Sequence, residues 1–374
     1  MHDVVPEPEA PETARFLALL LGLAPHDEVD VGRLLFYAAR RFLESFGLAE
    51  PTMLVFEDLH WAQTSEIELL EYLTKHLRDS PLVLVAIARP ELLDAHSSWG
   101  SGLAAQTTIP LDPLEAADAS VLAERIVQEA TERSFDIARL VEVAGGNPLF
   151  LEELAASVVE LGDSEDLPVT VREAIAARID AMPSDVRTAL LSAAVVGKTF
   201  WRGALQSVGG IEDVDEALNV LESRDFVRRD PSSQLSGDAQ FTFRHILIRE
   251  VAYATVPRAM RRERHAAVAR YIEETLGGSA ETASSILAYH WSEGGEPARA
   301  IPYLLAAANA ARRSWAKGAA IDLYTKALEL AADDDLRRRL RLQRGLALVE
   351  LQDYERAKEE IVGLLPELEG EEKL

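Results

Sequence analysis

The sequence predicts a mainly helical protein with an α/β part at its N-terminal end, on three observations. Two short continuous apolar runs, residues 53–56 and 82–88, flank a stretch of helical periodicity, the pattern of buried parallel strands joined by a helix. Beyond Leu111 almost every window has helical spacing. Near the C-terminus small residues recur: Ala320 and Ala357 lie 37 apart, close to the roughly 34-residue period of tetratricopeptide repeats. With 374 residues and about 150 per domain, two or three domains are expected.

In order, apolar residues at helical spacing (Phe16, Leu17, Leu20, Leu21) predict a helix over 13–23, and Leu34, Leu35, Ala38 and Phe42 predict another over 31–46. The first strand, 53–56, runs into Glu57 and Asp58. A helix over 65–77 leads to the second strand, closed by Arg89-Pro90, and residues 107–110 read as a third strand. Helices follow over 114–130, 137–144 and 148–161, the last opened by a proline whose missing N–H costs nothing there. After a polar break at 162–168, residues 171–225 read as three or four helices. Phe226-Val227-Arg228-Arg229 and Phe241-Thr242-Phe243, on either side of a turn-rich 230–238, then suggest the two-stranded ribbon of a winged helix. From Leu247 onward the reading is helical, with Tyr324 and Ala327, then Tyr354 and Ala357, in similar small-residue settings and Gly345 at the small position where two helices of a repeat meet.

Charge and composition exclude several function classes. Asp and Glu number 63 against 38 Lys and Arg, a formal net charge of −25, which repels a nucleic-acid backbone over most of the surface. There is no cysteine, hence no disulfide, thiolate metal site or cysteine nucleophile. The first twelve residues are acidic with three prolines and lack the basic start of a signal peptide. The apolar stretch 16–24 is too short for a bilayer core of about 30 Å. A cytoplasmic location is the expectation.

The chemistry rests on Glu57 and Asp58. Acids that end a buried parallel strand lie at the C-terminal edge of the sheet, where α/β folds bind ligands, although such acids are often only solvated loop residues. Their setting, Leu54-Val55-Phe56-Glu57-Asp58-Leu59-His60-Trp61-Ala62, resembles the Walker B segment of STAND-type, AAA-related signalling ATPases. The resemblance continues in order along the chain. Residues 82–92 are similar to the sensor-1 strand, and Gly145-Gly146-Asn147-Pro148-Leu149-Phe150 to the GxP turn and helix. The stretches at 167–171, 194–201 and 243–253 resemble the downstream winged helix, and helical repeats come last. The flavour is that of the regulatory part of bacterial class III adenylate/guanylate cyclases, or of large LuxR-type regulators.

This resemblance implies a truncated P-loop NTPase core over 1–112, a helical lid over 113–166, a winged helix over 167–245, and an incomplete tetratricopeptide-like α-solenoid over 246–374. It implies ATP and Mg²⁺ as cofactors of the complete protein. Glu57 and Asp58 would be the metal-side acids, with Asp58 also activating water; Arg89 would sense the γ-phosphate, and Gly146, Asn147 and Pro148 would meet the base. Glu57 stands where the family usually has Asp, so the two acids' roles stay interchangeable, and Ala88 lacks a polar sensor group. A protein partner or output domain would bind the repeats.

The phosphate cradle is missing. A P-loop needs glycines whose neighbouring N–H groups wrap phosphates, plus a lysine and a hydroxyl. The sequence holds a single Gly-Lys-Thr, Gly197-Lys198-Thr199, with Ser192 where the leading glycine belongs, inside the winged-helix stretch. The expectation is that the cradle lies upstream of Met1 and that this chain alone does not bind ATP tightly; a non-catalytic interaction scaffold is the alternative. Loss of a central strand would leave residues 1–150 the least stable part.

Other clusters read more weakly. Arg244, Arg249, Arg258, Arg261, Arg262 and Arg264 form a basic group, either a docking face or a solvated helix face. The histidines show no metal-ligand spacing, and Trp61, Trp201, Trp291 and Trp315 read as core or interface anchors.

Overall fold

The computed structural model describes residues 10–20, 32–62, 64–77, 80–97, 99–101, 106–130, 135–162, 167–211, 213–233, 235, 237–276, 283–313 and 317–364. The chain divides into two compact units, residues 1–108 with 301–374, and residues 109–300. The fold is α-rich with an N-terminal α/β part, as the apolar patterning predicts.

The N-terminal part runs α1 (Ala10–Leu20), α2 (Gly32–Ala49), β1 (Thr52–Phe56), a 3-10 turn (Leu59–Trp61), α3 (Thr64–His76), β2 (Leu82–Ala86) and α4 (Glu91–Ala95). β1 and β2 pair in parallel from Thr52↔Leu82 to Phe56↔Ala86, with α3 as the crossover. Phe56 and Leu84, on one sheet face, pack on a core of Ala39, Leu59, Ile67, Leu70, Leu73 and Leu92. The other face is open: Met53, Val55 and Val83 are 64%, 51% and 52% exposed. The third strand expected at 107–110 does not form. These residues pair with neither strand, Ile109 and Leu111 are exposed, and Pro110 and Pro113 remove two amide donors from the stretch.

In the second unit α5 (Ala116–Ala130), α6 (Ile137–Ala144) and α7 (Pro148–Leu161) enclose an apolar core around Leu140, Leu151, Leu154 and Ala155, which Ala174 of α8 (Val171–Asp180) closes. Then come α9 (Ser184–Val196), β3 (Thr199–Trp201), α10 (Arg202–Gly209), α11 (Val214–Ser223), β4 (Val227–Arg229) and β5 (Gln240–Phe243). β4 and β5 pair antiparallel as the expected two-stranded ribbon, and β3 adds a third strand on the other edge of β5, in the order β3-β5-β4. Phe200 of β3 and Phe241 and Phe243 of β5 form its buried side, with ring centres 5.5–5.8 Å apart. Gln240 is buried but satisfied, accepting from Trp201 Nε1 at 3.2 Å and donating to Asp230 at 2.9 Å.

α12 (Ile246–Thr255), α13 (Arg258–Leu276) and α14 (Ser284–Glu293) complete this unit around a polar core. Tyr253 Oη lies 3.0 Å from His265 Nε2, and His265 Nδ1 lies 2.9 Å from His290 Nδ1. Both rings are buried. Desolvation first, then Arg249 and Arg261, brings the His265 pKa down to about 4. Desolvation, then His265, brings His290 down to about 3.

α15 (Pro297–Arg313), α16 (Lys317–Leu330), α17 (Asp334–Glu350) and α18 (Tyr354–Leu364) follow as helices joined by short connections, α17 packing on both α16 and α18. Asp333 caps α17 by accepting from Leu336 N–H at 2.8 Å. Ala320, Tyr324, Ala327 and Ala357 are buried, and the Tyr324 hydroxyl donates to Asn309 at 2.7 Å. A Cβ on Gly345 would sit 2.8 Å from Ile361, so α17 and α18 approach as the small residue requires. Tyr354 does not share the Tyr324 setting: it opens α18 and is 62% exposed. The 37-residue offset carries Tyr324 onto Ile361 instead. Trp315 lies outside the described residues.

Candidate functional site

Glu57 and Asp58 leave β1 at the C-terminal edge of the parallel pair, and both are exposed. The ladder continues past the strand end: Ile87 N–H donates to Phe56 O at 2.8 Å, and Leu59 N–H to Ile87 O at 3.0 Å. Leu59 is buried, anchoring the turn into the core. Between these anchors Asp58 adopts a left-handed conformation, φ 55° and ψ 33°. Such a conformation is uncommon outside glycine and concentrates at functional positions. Arg89, two residues beyond Ile87, is exposed on the same edge, at the exit of β2. Among the described residues, Glu57, Asp58 and Arg89 make no side-chain hydrogen bond or ion pair.

Behind the acids stands a residue that sequence patterning missed. Among the described residues, both ring nitrogens of His60 are shielded from solvent and have no hydrogen-bond partner. Its ring lies 5.3 Å from that of Trp61, which is 78% exposed and so is no core anchor, unlike Trp201 and Trp291. A lone histidine between apolar neighbours carries no signal of this in sequence.

Gly146, Asn147 and Pro148 belong to the other unit, in the turn from α6 to α7. Gly145 ends α6 in the left-handed region at φ 58°. Gly146 follows at φ 77°, and a Cβ there would lie 2.6 Å from Leu114 O and 2.8 Å from Pro113 Cβ. Its carbonyl accepts from Leu114 N–H at 2.8 Å. Asn147 caps α7, its Oδ1 accepting from Phe150 N–H at 3.1 Å, and Pro148 takes the first helical position. Asn147 and Pro148 are exposed, Gly146 buried. The turn therefore has a complete structural explanation in helix capping.

Gly197-Lys198-Thr199 leads from α9 into β3. The Lys198 carbonyl accepts from Phe243 N–H at 3.0 Å, and the Thr199 hydroxyl lies 3.2 Å from that of Thr242. These groups serve an antiparallel ladder. The arginine cluster is partly consumed as well. Arg249 caps the Ala194 carbonyl, Arg261 caps those of Val256 and Ala254, and both stack on Tyr253.

Mg²⁺ takes oxygen ligands, typically one or two carboxylates completed by waters and substrate phosphates. The unpaired Glu57 and Asp58 carboxylates fit that partial donor set. Among the described residues no group of three or more His, Cys, Asp or Glu could hold a metal by itself. Two surface grooves, about 530 Å³ beside Thr170, Ala176 and Val251 and about 330 Å³ beside Thr325, Arg337 and Arg341, contain none of the predicted site residues. No described helix is long and apolar enough to cross a membrane.

No family model matches the chain. A protein of Rhizobium meliloti (strain 1021), described only as uncharacterized, is 24% identical over 290 residues, covering 72% of this chain and 27% of that protein. Among solved structures, a Signal Transduction ATPase with Numerous Domains (STAND) protein with a tetratricopeptide repeat sensor, from Pyrococcus horikoshii, superposes with a TM-score of 0.49 at 15% identity, over 97% of this chain and 57% of that one. The chain thus spans about a quarter of the curated relative's length and somewhat over half of the solved one's. At this level neither likeness assigns an activity.

Proposed function

We propose that this chain is part of a STAND-type, nucleotide-dependent signalling module. The observation that carries this reading is the pair Glu57–Asp58, unpaired and exposed at the C-terminal edge of two parallel strands, with Asp58 in a left-handed turn. The open face of the strand pair supports it, because parallel sheets are ordinarily covered on both sides. ATP with Mg²⁺ supplies the reactive phosphoanhydride in this reading. Glu57 and Asp58 would hold Mg²⁺ through its water shell and orient the attacking water, and Arg89 would sense the γ-phosphate. The strands β3–β5 with α9–α11 are read as the winged helix, and α15–α18 as tetratricopeptide-like hairpins that dock a protein partner or output domain, in a cyclase regulator or a LuxR-type regulator. The phosphate-cradling loop comes from sequence outside residues 1–374.

Calorimetry with Mg-ATP tests this on residues 1–374 and on a version extended N-terminally along the coding sequence. The shorter chain binds more weakly than roughly micromolar; the longer one binds and hydrolyses ATP, and loses about a hundredfold or more in turnover with Asp58→Asn. Micromolar binding by residues 1–374 that vanishes with Asp58→Asn refutes the external cradle. An extended chain that retains full turnover with both Glu57→Gln and Asp58→Asn refutes the site.

A further inference from the structure

Arg178 of α8 is 3% exposed and lies among polar partners from two places, α7 and the end of α11. Its guanidinium donates to Glu153 Oε2 at 2.5 Å and to Glu160 Oε1 at 2.8 Å, both on α7. It also donates to the Arg224 carbonyl at 2.8 Å, where α11 ends. Its flat head lies 4.4 Å from the ring centre of Phe226, the residue before β4. Asp225, between these last two, is left-handed at φ 57°. Glu153 is buried too, and desolvation raises its pKa against the pull of Arg178.

Apolar packing organises the two sides differently. The core of α5–α7 ends at Val171 and Ala174 on the first turns of α8. The three-stranded sheet has its own core in Phe200, Phe241 and Phe243. Arg178, one turn beyond Ala174, reaches from the first assembly to the second. A buried ion pair adds little net stability compared with apolar residues of the same volume. A guanidinium fork is strongly directional, however, and fixes the relative position of everything it binds.

We propose that Arg178 is a mechanical coupler that makes α7 and the α11–β4 corner open as one body, so that displacement of the Gly146–Pro148 turn, where α7 begins, is passed to the three-stranded sheet. The coupling is a property of this chain and holds whether or not that turn meets a nucleotide.

Native-state hydrogen exchange without ligand tests it. In the unaltered chain the slowest amides of α7 and β5 exchange with protection within about threefold of each other, as one cooperative opening requires. In the triple variant Arg178→Met, Glu153→Leu, Glu160→Leu, which leaves no buried charge behind, α7 amides exchange at least about tenfold faster while those of α9 and β5 stay within about threefold. Arg178→Lys, which keeps the charge and loses the fork, moves α7 in the same direction and decides the matter if the triple variant does not fold. The proposal is overturned if α7 and β5 already open separately in the unaltered chain. It is also overturned if the substitutions leave α7 unchanged, or accelerate α7 and β5 by the same factor.

Discussion

Acidification from pH 7 to pH 5 should cost the unit of residues 109–300 about 4 kcal/mol through His265 and His290 alone. Both start from an ordinary pKa of 6.5 in the unfolded chain and fall to about 4 and about 3 in the fold. The folded state therefore binds fewer protons between those limits, and stability rises with pH across the window. At pH 5 each folded ring is still mostly neutral, while each unfolded ring is almost wholly protonated. The unfolded state gains about 1.5 pH units of proton binding per ring, roughly 2 kcal/mol each at 1.36 kcal/mol per unit. The figure depends little on how far below 5 the folded values lie. Urea unfolding followed by circular dichroism at pH 7, 6 and 5 measures the loss, with His265→Gln as comparator. Glutamine keeps a donor and an acceptor but cannot titrate, so the variant should lose about 2 kcal/mol over the same range. Carboxylates common to both chains cancel in that difference. Equal losses in the two chains, or a loss below about 1 kcal/mol in the unaltered one, refute the neutral buried relay.

Two further substitutions probe the candidate site's scaffold. Gly146→Ala should destabilise the α5–α7 assembly by about 2–4 kcal/mol, the sum of a left-handed alanine and a Cβ forced against Leu114 O, seen as a lowered thermal midpoint. An unchanged midpoint would mean that the turn has room the geometry denies it. Asp58→Gly should leave stability equal or raise it by up to about 1 kcal/mol in the same assay, because an exposed, unpaired side chain is removed from a left-handed position. Marked destabilisation would show that Asp58 holds the fold rather than a ligand.

What could be read from the sequence followed local rules. The paired acids and their strands declared themselves because a parallel strand buries a continuous run and then stops. α7 was legible to the residue because Gly145, Gly146, Asn147 and Pro148 punctuate it. Where strand formation depends on a distant partner, reading failed in both directions. Residues 107–109 are all β-branched but have no ladder to join, whereas Thr199–Trp201 forms β3 by pairing with Gln240–Thr242 some forty residues on. Tyr354 misled because aromatic identity was matched before repeat offset. The polar interior was invisible for a related reason. His265 and His290, like Glu153 and Arg178, are 25 residues apart and look like ordinary surface residues of separate helices. His60 shows its orphaned nitrogens only once β1 and its turn are packed.

The Arg178 cluster also constrains how this sequence can drift. Losing the arginine alone strands the buried Glu153 carboxylate beside the half-buried Glu160, and losing Glu153 alone leaves a buried cation short of a counter-ion, each step costing about 3–5 kcal/mol. An all-apolar trio in the same volume would be tolerated. The viable alternatives are therefore separated by a valley that one-at-a-time substitution does not cross. Across relatives, positions 153, 160 and 178 should change together or stay put, an imprint that a linear pattern search overlooks and a covariation survey would detect.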